Sequence, residues 1–212
     1  MTHAEFRKRL EQLREVIARG SAYWAVSKKL RYREEGKVSW SVEEQDKILG
    51  RFRGFFTPVA LAVLDMAFLE LNKVFDTDCK AASLWNLLGA ARQDTSLVSD
   101  RTPADVAAVS RQFRQSRKML TALKRRRDQQ LAHVDADPAP VDPLLVKEFD
   151  RLLENVRSAF SWLSTAHYGR PVSWEWLIPE VEADTSGVMG ALLEELNRRD
   201  AVQRGIAERS RS

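Results

Sequence analysis

Apolar residues recur at three- and four-residue steps along most of the chain, the spacing that places them on one face of an α-helix. Phe6, Leu10, Leu13 and Ile17 follow this spacing and predict a helix over residues 4–30. We expect this helix to bend or split at Gly20-Ser21. A polar loop is expected over residues 31–40.

The next helix is predicted from a capping signal. Ser41 is followed by Glu44, so each side chain can bond the other residue's backbone N–H. A long apolar helix is expected from there to about Phe75. Pro58 lies within it and is expected to kink or divide it, because proline cannot donate the helical hydrogen bond.

The second half of the chain continues the helical pattern. Residues 80–92 predict a shorter helix. Thr102 as cap and Pro103 as first helical residue predict the start of a second long helix that reaches about residue 135. A final bundle helix is expected over about 143–168, after the rigid Pro138-Ala139-Pro140 turn.

Because no segment shows the two-residue alternation of a strand, the fold class is predicted as all-α. We expect a bundle of four to five mainly antiparallel helices over residues 1–168. Residues 169–212 are expected to form a C-terminal helical extension that packs on the bundle, with Trp174 and Trp176 among its contacts and a frayed end.

Composition limits the classes of function. Hydrophobic residues make up 44% of the 212 residues, and the net charge of +4 with pI near 9.3 permits contact with nucleic acid without requiring it. A single cysteine, Cys79, is expected to be buried and inert. It rules out an internal disulfide and fits the reducing cytoplasm.

Neither a signal peptide nor a membrane span is expected. Residues 1–8 lack the charge and hydropathy pattern of a signal peptide, and the apolar stretch 55–71 is interrupted by Pro58, Asp65 and Glu70. No glycine-rich phosphate loop or His-x-x-x-His pair occurs, so we expect no metal and no cofactor.

The densest polar run is Lys124 to Asp135, which contains four consecutive cations and His133. Histidine can both take and give a proton near neutral pH, and arginine offers a fixed fork of donors that matches a phosphate. RNA cleavage by the 2′-OH needs a base, an acid and a cation for the extra charge on phosphorus. These residue types can supply all three functions without a metal.

The spacing within this run bears on the oligomeric state. At roughly 100° per residue, Arg127 and His133 lie roughly 120° apart around an ideal helix, whereas Arg126 lies nearly above His133. Two antiparallel copies related by a two-fold axis would bring both residue types into one cleft, so this chemistry predicts a homodimer. The competing interpretation, a solvated cationic helix end with a neighbouring histidine, stays open.

The segment Arg127-Asp128-Gln129-Gln130-Leu131-Ala132-His133 resembles the Arg-x(4–6)-His motif of the HEPN superfamily, in the form of its abortive-infection U-type branch. Upstream, Asp78 followed by Ser83-Leu84 and Leu87-Leu88 resembles a second feature of that branch. The resemblance covers about residues 40–165. Many HEPN proteins are compact helical bundles that act as dimeric, metal-independent ribonucleases in toxin–antitoxin, abortive-infection and CRISPR defence.

The resemblance implies roles for three residues. Arg127 and His133 correspond to the catalytic pair, and Asp128 to the polar residue that orients the arginine. On physical grounds alone, Lys124, Arg125 and Arg126 are assigned to RNA phosphate contacts. RNA is then the substrate, a second copy the partner, and an antitoxin or regulatory protein a further partner. The alternative is a non-catalytic HEPN-like module that binds RNA, a nucleotide or a protein.

Overall fold

A computed structural model describes residues 1–31, 41–99, 101–114, 117–126, 146–174 and 177–209. Within these ranges the chain forms α-helices and one 3₁₀ turn, Thr95–Leu97, and no strand. The all-α prediction is therefore confirmed. The helices are α1 (His3–Arg31), α2 (Val42–Arg51), α3 (Arg53–Val74), α4 (Leu84–Gln93), α5 (Pro103–Arg114), α6 (Arg117–Arg126), α7 (Val146–Tyr168) and α8 (Leu177–Arg209).

Contacts divide the chain into two compact units. The first unit comprises residues 1–21 and 65–175, and the second comprises residues 22–64 and 176–212. Helix α8 belongs to the second unit, because its Met189 and Leu196 are buried with Ile48 of α2. The expected domain boundary after residue 168 stays a prediction.

The first unit has an aromatic core. Phe113 of α5 is fully buried and its ring centre lies 5.1 Å from that of Phe75 and 5.4 Å from that of Trp85. Phe68 of α3 and Phe149 of α7 make a second edge contact at 5.3 Å. Aromatic pairs of this geometry add to the free energy gained by burying their area. They connect α3, α4, α5 and α7.

Gly20 does not split α1, which is continuous from His3 to Arg31. A Cβ at Gly20 would lie 3.3 Å from the Cβ of Glu70 and 3.6 Å from the Cγ of Leu71. Glycine therefore permits a close approach to α3. The carboxylate of Glu70 is buried there and accepts from Arg19 at 3.3 Å and from Lys73 at 2.7 Å. These two cations balance its buried charge.

The second unit contains the capping box that the sequence predicts. The Ser41 hydroxyl accepts from the Glu44 N–H at 3.2 Å, and the Glu44 carboxylate accepts from the Ser41 N–H at 2.7 Å. The apolar helix then divides at Phe52, not at Pro58. Pro58 lies in the second turn of α3. Its missing N–H removes one helical hydrogen bond, and only one turn of α3 precedes it for the proline ring to distort.

One face of α3 is buried and the other is exposed. Phe55 and Met66, both apolar residues of this helix, are 63% and 37% exposed. By length and composition alone, Arg53–Val74 is long and apolar enough to cross a membrane, so its polar residues do not by themselves exclude a span. The expectation of no membrane span stays a prediction. Core helices of soluble proteins meet the same criterion, and 39% of its most apolar window is buried.

Candidate functional site

The described chain leads directly up to the predicted catalytic residues. Helix α6 carries the start of the cationic run and ends at Arg126. Lys124 and Arg125, predicted to contact RNA phosphates, are both exposed on its last turn. The predicted catalytic residues Arg127, Asp128 and His133 lie outside the described residues, as does the side chain of Arg126.

A buried amide holds the last turn of α6 in place. The Asn72 side chain of α3 donates to the backbone oxygen of Leu123 at 3.3 Å and to that of Phe68 at 2.9 Å. This bond joins a side chain of α3 to a backbone oxygen of α6, so it ties the two helices together at this turn. The Leu123 side chain is buried too. The turn that presents Lys124 and Arg125 is therefore fixed by both packing and a hydrogen bond.

Sequence reasoning missed Asn72. A signal was present, because Asn72 directly follows Leu71 and precedes Val74 by two residues, near the end of a largely apolar helix. A buried side-chain amide must find hydrogen-bond partners, so an asparagine on an apolar face indicates a specific contact. The partner itself is a backbone oxygen on another helix, and no residue pattern identifies it.

Helix α5 adds positive charge to the same unit. Arg111 and Arg114 lie in its last turn and both are exposed. Phe113 between them is buried against Phe75 and Trp85, so it orients this turn with its arginines toward solvent. The ends of α5 and α6 thus each present two cations, a distribution suited to the phosphates of a nucleic acid.

The upstream segment from Asp78 to Leu88, which resembles a feature of the HEPN branch, has a structural role. Ser83 is buried and caps α4 by accepting from the N–H of Asn86 at 3.3 Å. The Asn86 amide donates in turn to the backbone oxygens of Asp78 at 2.6 Å and Ala81 at 2.9 Å. The leucines that follow are buried: Leu84, Leu87 and Leu88. The segment therefore closes a turn and starts a core helix.

Cys79 lies in that turn, and the expectation that it is buried is wrong. Its side chain is exposed, although its backbone oxygen accepts from Arg9 at 2.9 Å. The turn is held through backbone oxygens and the side chain of Asn86, so it does not depend on the thiol. Among the described residues, no group of three or more His, Cys, Asp or Glu residues could hold a metal ion.

His167 is half-buried at the end of α7 and has a hydrogen-bond partner. Its Nδ1–H donates to the backbone oxygen of Leu97 at 2.8 Å. The ring packs against Phe6 with 5.0 Å between centres, and His3 stacks on it at 5.8 Å. His167 therefore links the chain after α4 to α7.

The comparisons with known proteins agree with this helical arrangement. The sequence model of the AbiU2 family of HEPN domains matches residues 3–187. The chain belongs to this abortive-infection HEPN family. The match includes the whole segment from Arg127 to His133. Neither a curated protein nor a solved structure matches the chain.

Proposed function

We propose that this protein is a metal-independent endoribonuclease effector of a prokaryotic abortive-infection or toxin–antitoxin system. The observation that carries the proposal is the AbiU2 match over residues 3–187, which contains the Arg127–His133 motif. The fixed, cationic end of α6 supports it, because that helix leads straight into the motif. The single cysteine fits action in the cytoplasm.

The proposed mechanism uses the RNA's own 2′-OH as nucleophile. A histidine base removes the 2′-OH proton, and the oxygen attacks the adjacent phosphorus. The bond to the 5′ oxygen breaks, and that oxygen receives a proton from an acid. Arg127 stabilises the extra negative charge on phosphorus, and Asp128 orients Arg127. The products are a 2′,3′-cyclic phosphate and a 5′-hydroxyl.

A shared cleft between two copies supplies both an acid and a base. Each protomer contributes Arg127 and His133, which one ideal helix holds roughly 120° apart. Mixing two inactive variants tests this arrangement. If Arg127→Ala protein is mixed with His133→Ala protein, a shared cleft regains one arginine and one histidine, so partial cleavage returns. Activity confined to one protomer predicts no recovery.

Lys124 and Arg125 are proposed to bind RNA phosphates near the site. Each neutralised phosphate contributes about 0.7 to the slope of log K against log salt for a single strand. The double variant Lys124→Ala/Arg125→Ala should therefore bind RNA more weakly and lose about 1.4 of that slope. Lys8→Ala/Arg14→Ala, which removes two exposed cations from α1, is the matched control.

The alternative function is a non-catalytic module that binds RNA, a nucleotide or a partner protein. The exposed cations on α5 and α6 favour this alternative as much as they favour catalysis, because they supply affinity without chemistry. Steeply salt-dependent RNA binding by the wild type, with no cleavage under any condition, would establish it. A regulatory protein or antitoxin remains a proposed partner in either case.

A further inference from the structure

The outer face of α8 carries a repeating stripe of residues. Val188, Val202 and Ile206 are 59%, 56% and 60% exposed. Single exposed aliphatic residues are common on protein surfaces, but three on one side of one helix indicate an interaction surface. Leu192, Glu195 and Arg199 lie between them along the same stripe, where Leu192 is half-buried and packs against the core of the second unit. Steps of four and three residues separate all six, and this spacing keeps them within roughly 80° of one another around the helix.

The residues of the stripe are arranged almost symmetrically about residue 197. Reflection about residue 197 exchanges Val188 with Ile206 and Leu192 with Val202. It also exchanges Glu195 with Arg199. Apolar residues thus exchange with apolar residues, and the acid exchanges with the base.

This order matches what a two-fold axis requires. When a helix packs antiparallel against its own copy, each residue on one side of the axis faces the reflected residue of the partner. Two copies of α8 paired about residue 197 would place apolar side chains together at both ends. At the centre they would form two Glu–Arg contacts. A parallel pairing would instead place Glu195 against Glu195 and Arg199 against Arg199, so charge disfavours it.

The central charges are already oriented along this face. Glu195 accepts from Arg199 at 2.7 Å and from Arg198 at 2.8 Å within its own helix. In the proposed pair, Glu195 accepts hydrogen bonds from the partner's Arg199 beside or in place of its own arginines. Few of the existing contacts of Glu195 are then lost. The inward side of α8 is occupied, because Met189 and Leu196 are buried in the core of the second unit. The stripe lies beside that core, with Leu192 at its inner edge and Val188, Val202 and Ile206 exposed.

We propose that α8 is a self-association surface, which binds α8 of a second copy of this chain in antiparallel register about residue 197. The stripe lies at residues 188–206, beyond the family match over residues 3–187. The surface therefore belongs to the part of this chain that the match leaves unassigned. The proposal does not rest on ribonuclease activity, and a dimer formed through any other surface neither supports nor replaces it.

A site-directed disulfide tests the surface itself. In a Cys79→Ser background, which removes the exposed native thiol, Val188→Cys protein is mixed with Ile206→Cys protein under mild oxidation. Antiparallel pairing predicts a cross-linked dimer from the mixture and little from either variant alone, because identical positions would lie about 27 Å apart. Ala201→Cys, exposed on another side of α8, replaces Ile206→Cys in the control mixture and should not cross-link.

Charge substitutions then test the register in the same assay. Glu195→Arg in both chains places Arg against Arg twice and should reduce cross-linking at least about tenfold. Glu195→Arg in one chain and Arg199→Glu in the other places opposite charges together twice and should restore it. The intrahelical Glu195–Arg199 pair is lost in each of these chains, so helix stability alone cannot explain a restoration.

Three results would overturn the proposal. The first is equal cross-linking of Val188→Cys with Ala201→Cys. The second is efficient cross-linking of Val188→Cys alone, which indicates a parallel pair. The third is absence of any cross-link in the Val188/Ile206 mixture while circular dichroism shows folded protein, which would mean that the stripe serves another partner.

Discussion

Asn72 is the residue whose substitution tests most directly how the candidate site is held. Asn72→Leu keeps a side chain of similar size but removes both donated hydrogen bonds. The backbone oxygen of Phe68 retains its helical partner inside α3. The backbone oxygen of Leu123 loses the donor that α3 supplies.

The expected cost follows from the two hydrogen bonds that the buried amide donates. A typical intramolecular hydrogen bond contributes about 0.5–1.5 kcal/mol, so the two together contribute about 1–3 kcal/mol. For a chain of this size each kcal/mol lowers the melting temperature by about 2–4 °C, so a loss of about 2 kcal/mol predicts a decrease of about 4–8 °C. Amide hydrogen exchange should rise over the last turn of α6, and RNA binding through Lys124 and Arg125 should weaken.

Asn197→Leu is the matched control. Its side-chain oxygen accepts from Lys47 at 2.8 Å, but that contact is exposed to solvent. We expect a change within about 0.5 kcal/mol there. Equal melting temperatures for wild type and Asn72→Leu, or an equal loss in both variants, would refute the reasoning. Unchanged exchange in α6 despite lower stability would show that Asn72 supports α3 alone.

Three further predictions concern other contacts. Phe113→Ala should lower the free energy of unfolding by about 3–5 kcal/mol in denaturant titrations, because it empties a fully buried aromatic position; an unchanged midpoint contradicts this. Hydrogen bonds from Arg198 and Arg199 lower the pKa of Glu195 from 4.5 to about 2, so the ion pair's contribution is present above pH 4.5 and is lost as pH falls toward 2. Carboxyl NMR should show that low midpoint, and Arg198→Ala should raise it. Cys79 should react fully with a thiol reagent in native protein, and a protected thiol would contradict its exposure.

The elements that sequence predicted well are those specified by adjacent residues. The capping pair Ser41–Glu44 forms as expected. Thr102 likewise accepts from the N–H of Asp105 at 3.3 Å at the start of α5. Helical periodicity also indicated the fold class correctly, since both signals depend on spacing along the chain.

The predictions that failed depend on contacts between distant residues. Gly20 was expected to break a helix, yet its use is the approach of Glu70, a residue far along the sequence. Pro58 was expected to divide α3, but the division lies at Phe52. Periodicity identified Phe55 as apolar and could not show that its side chain is exposed.

The candidate site also combines features that the sequence predicts with features that depend on contacts between distant residues. Lys124 and Arg125 are exposed, and their contact with RNA phosphates stays a prediction. The bond from Asn72 that fixes their helix could not be predicted, because its acceptor is a backbone oxygen. The roles of Arg127, Asp128 and His133 come from the motif and the family, and they stay predictions.

RNA cleavage in the presence of EDTA tests the central claim most directly. Purified wild-type protein and the His133→Ala variant are incubated with the same RNA, with circular dichroism as the check that both are folded. Gln130→Ala, from the same segment, serves as a control for general perturbation of the motif. The account predicts that wild type and Gln130→Ala cleave and leave 2′,3′-cyclic phosphate ends, and that His133→Ala does not cleave. Equal cleavage by His133→Ala, or cleavage by the wild type that EDTA abolishes, would contradict it.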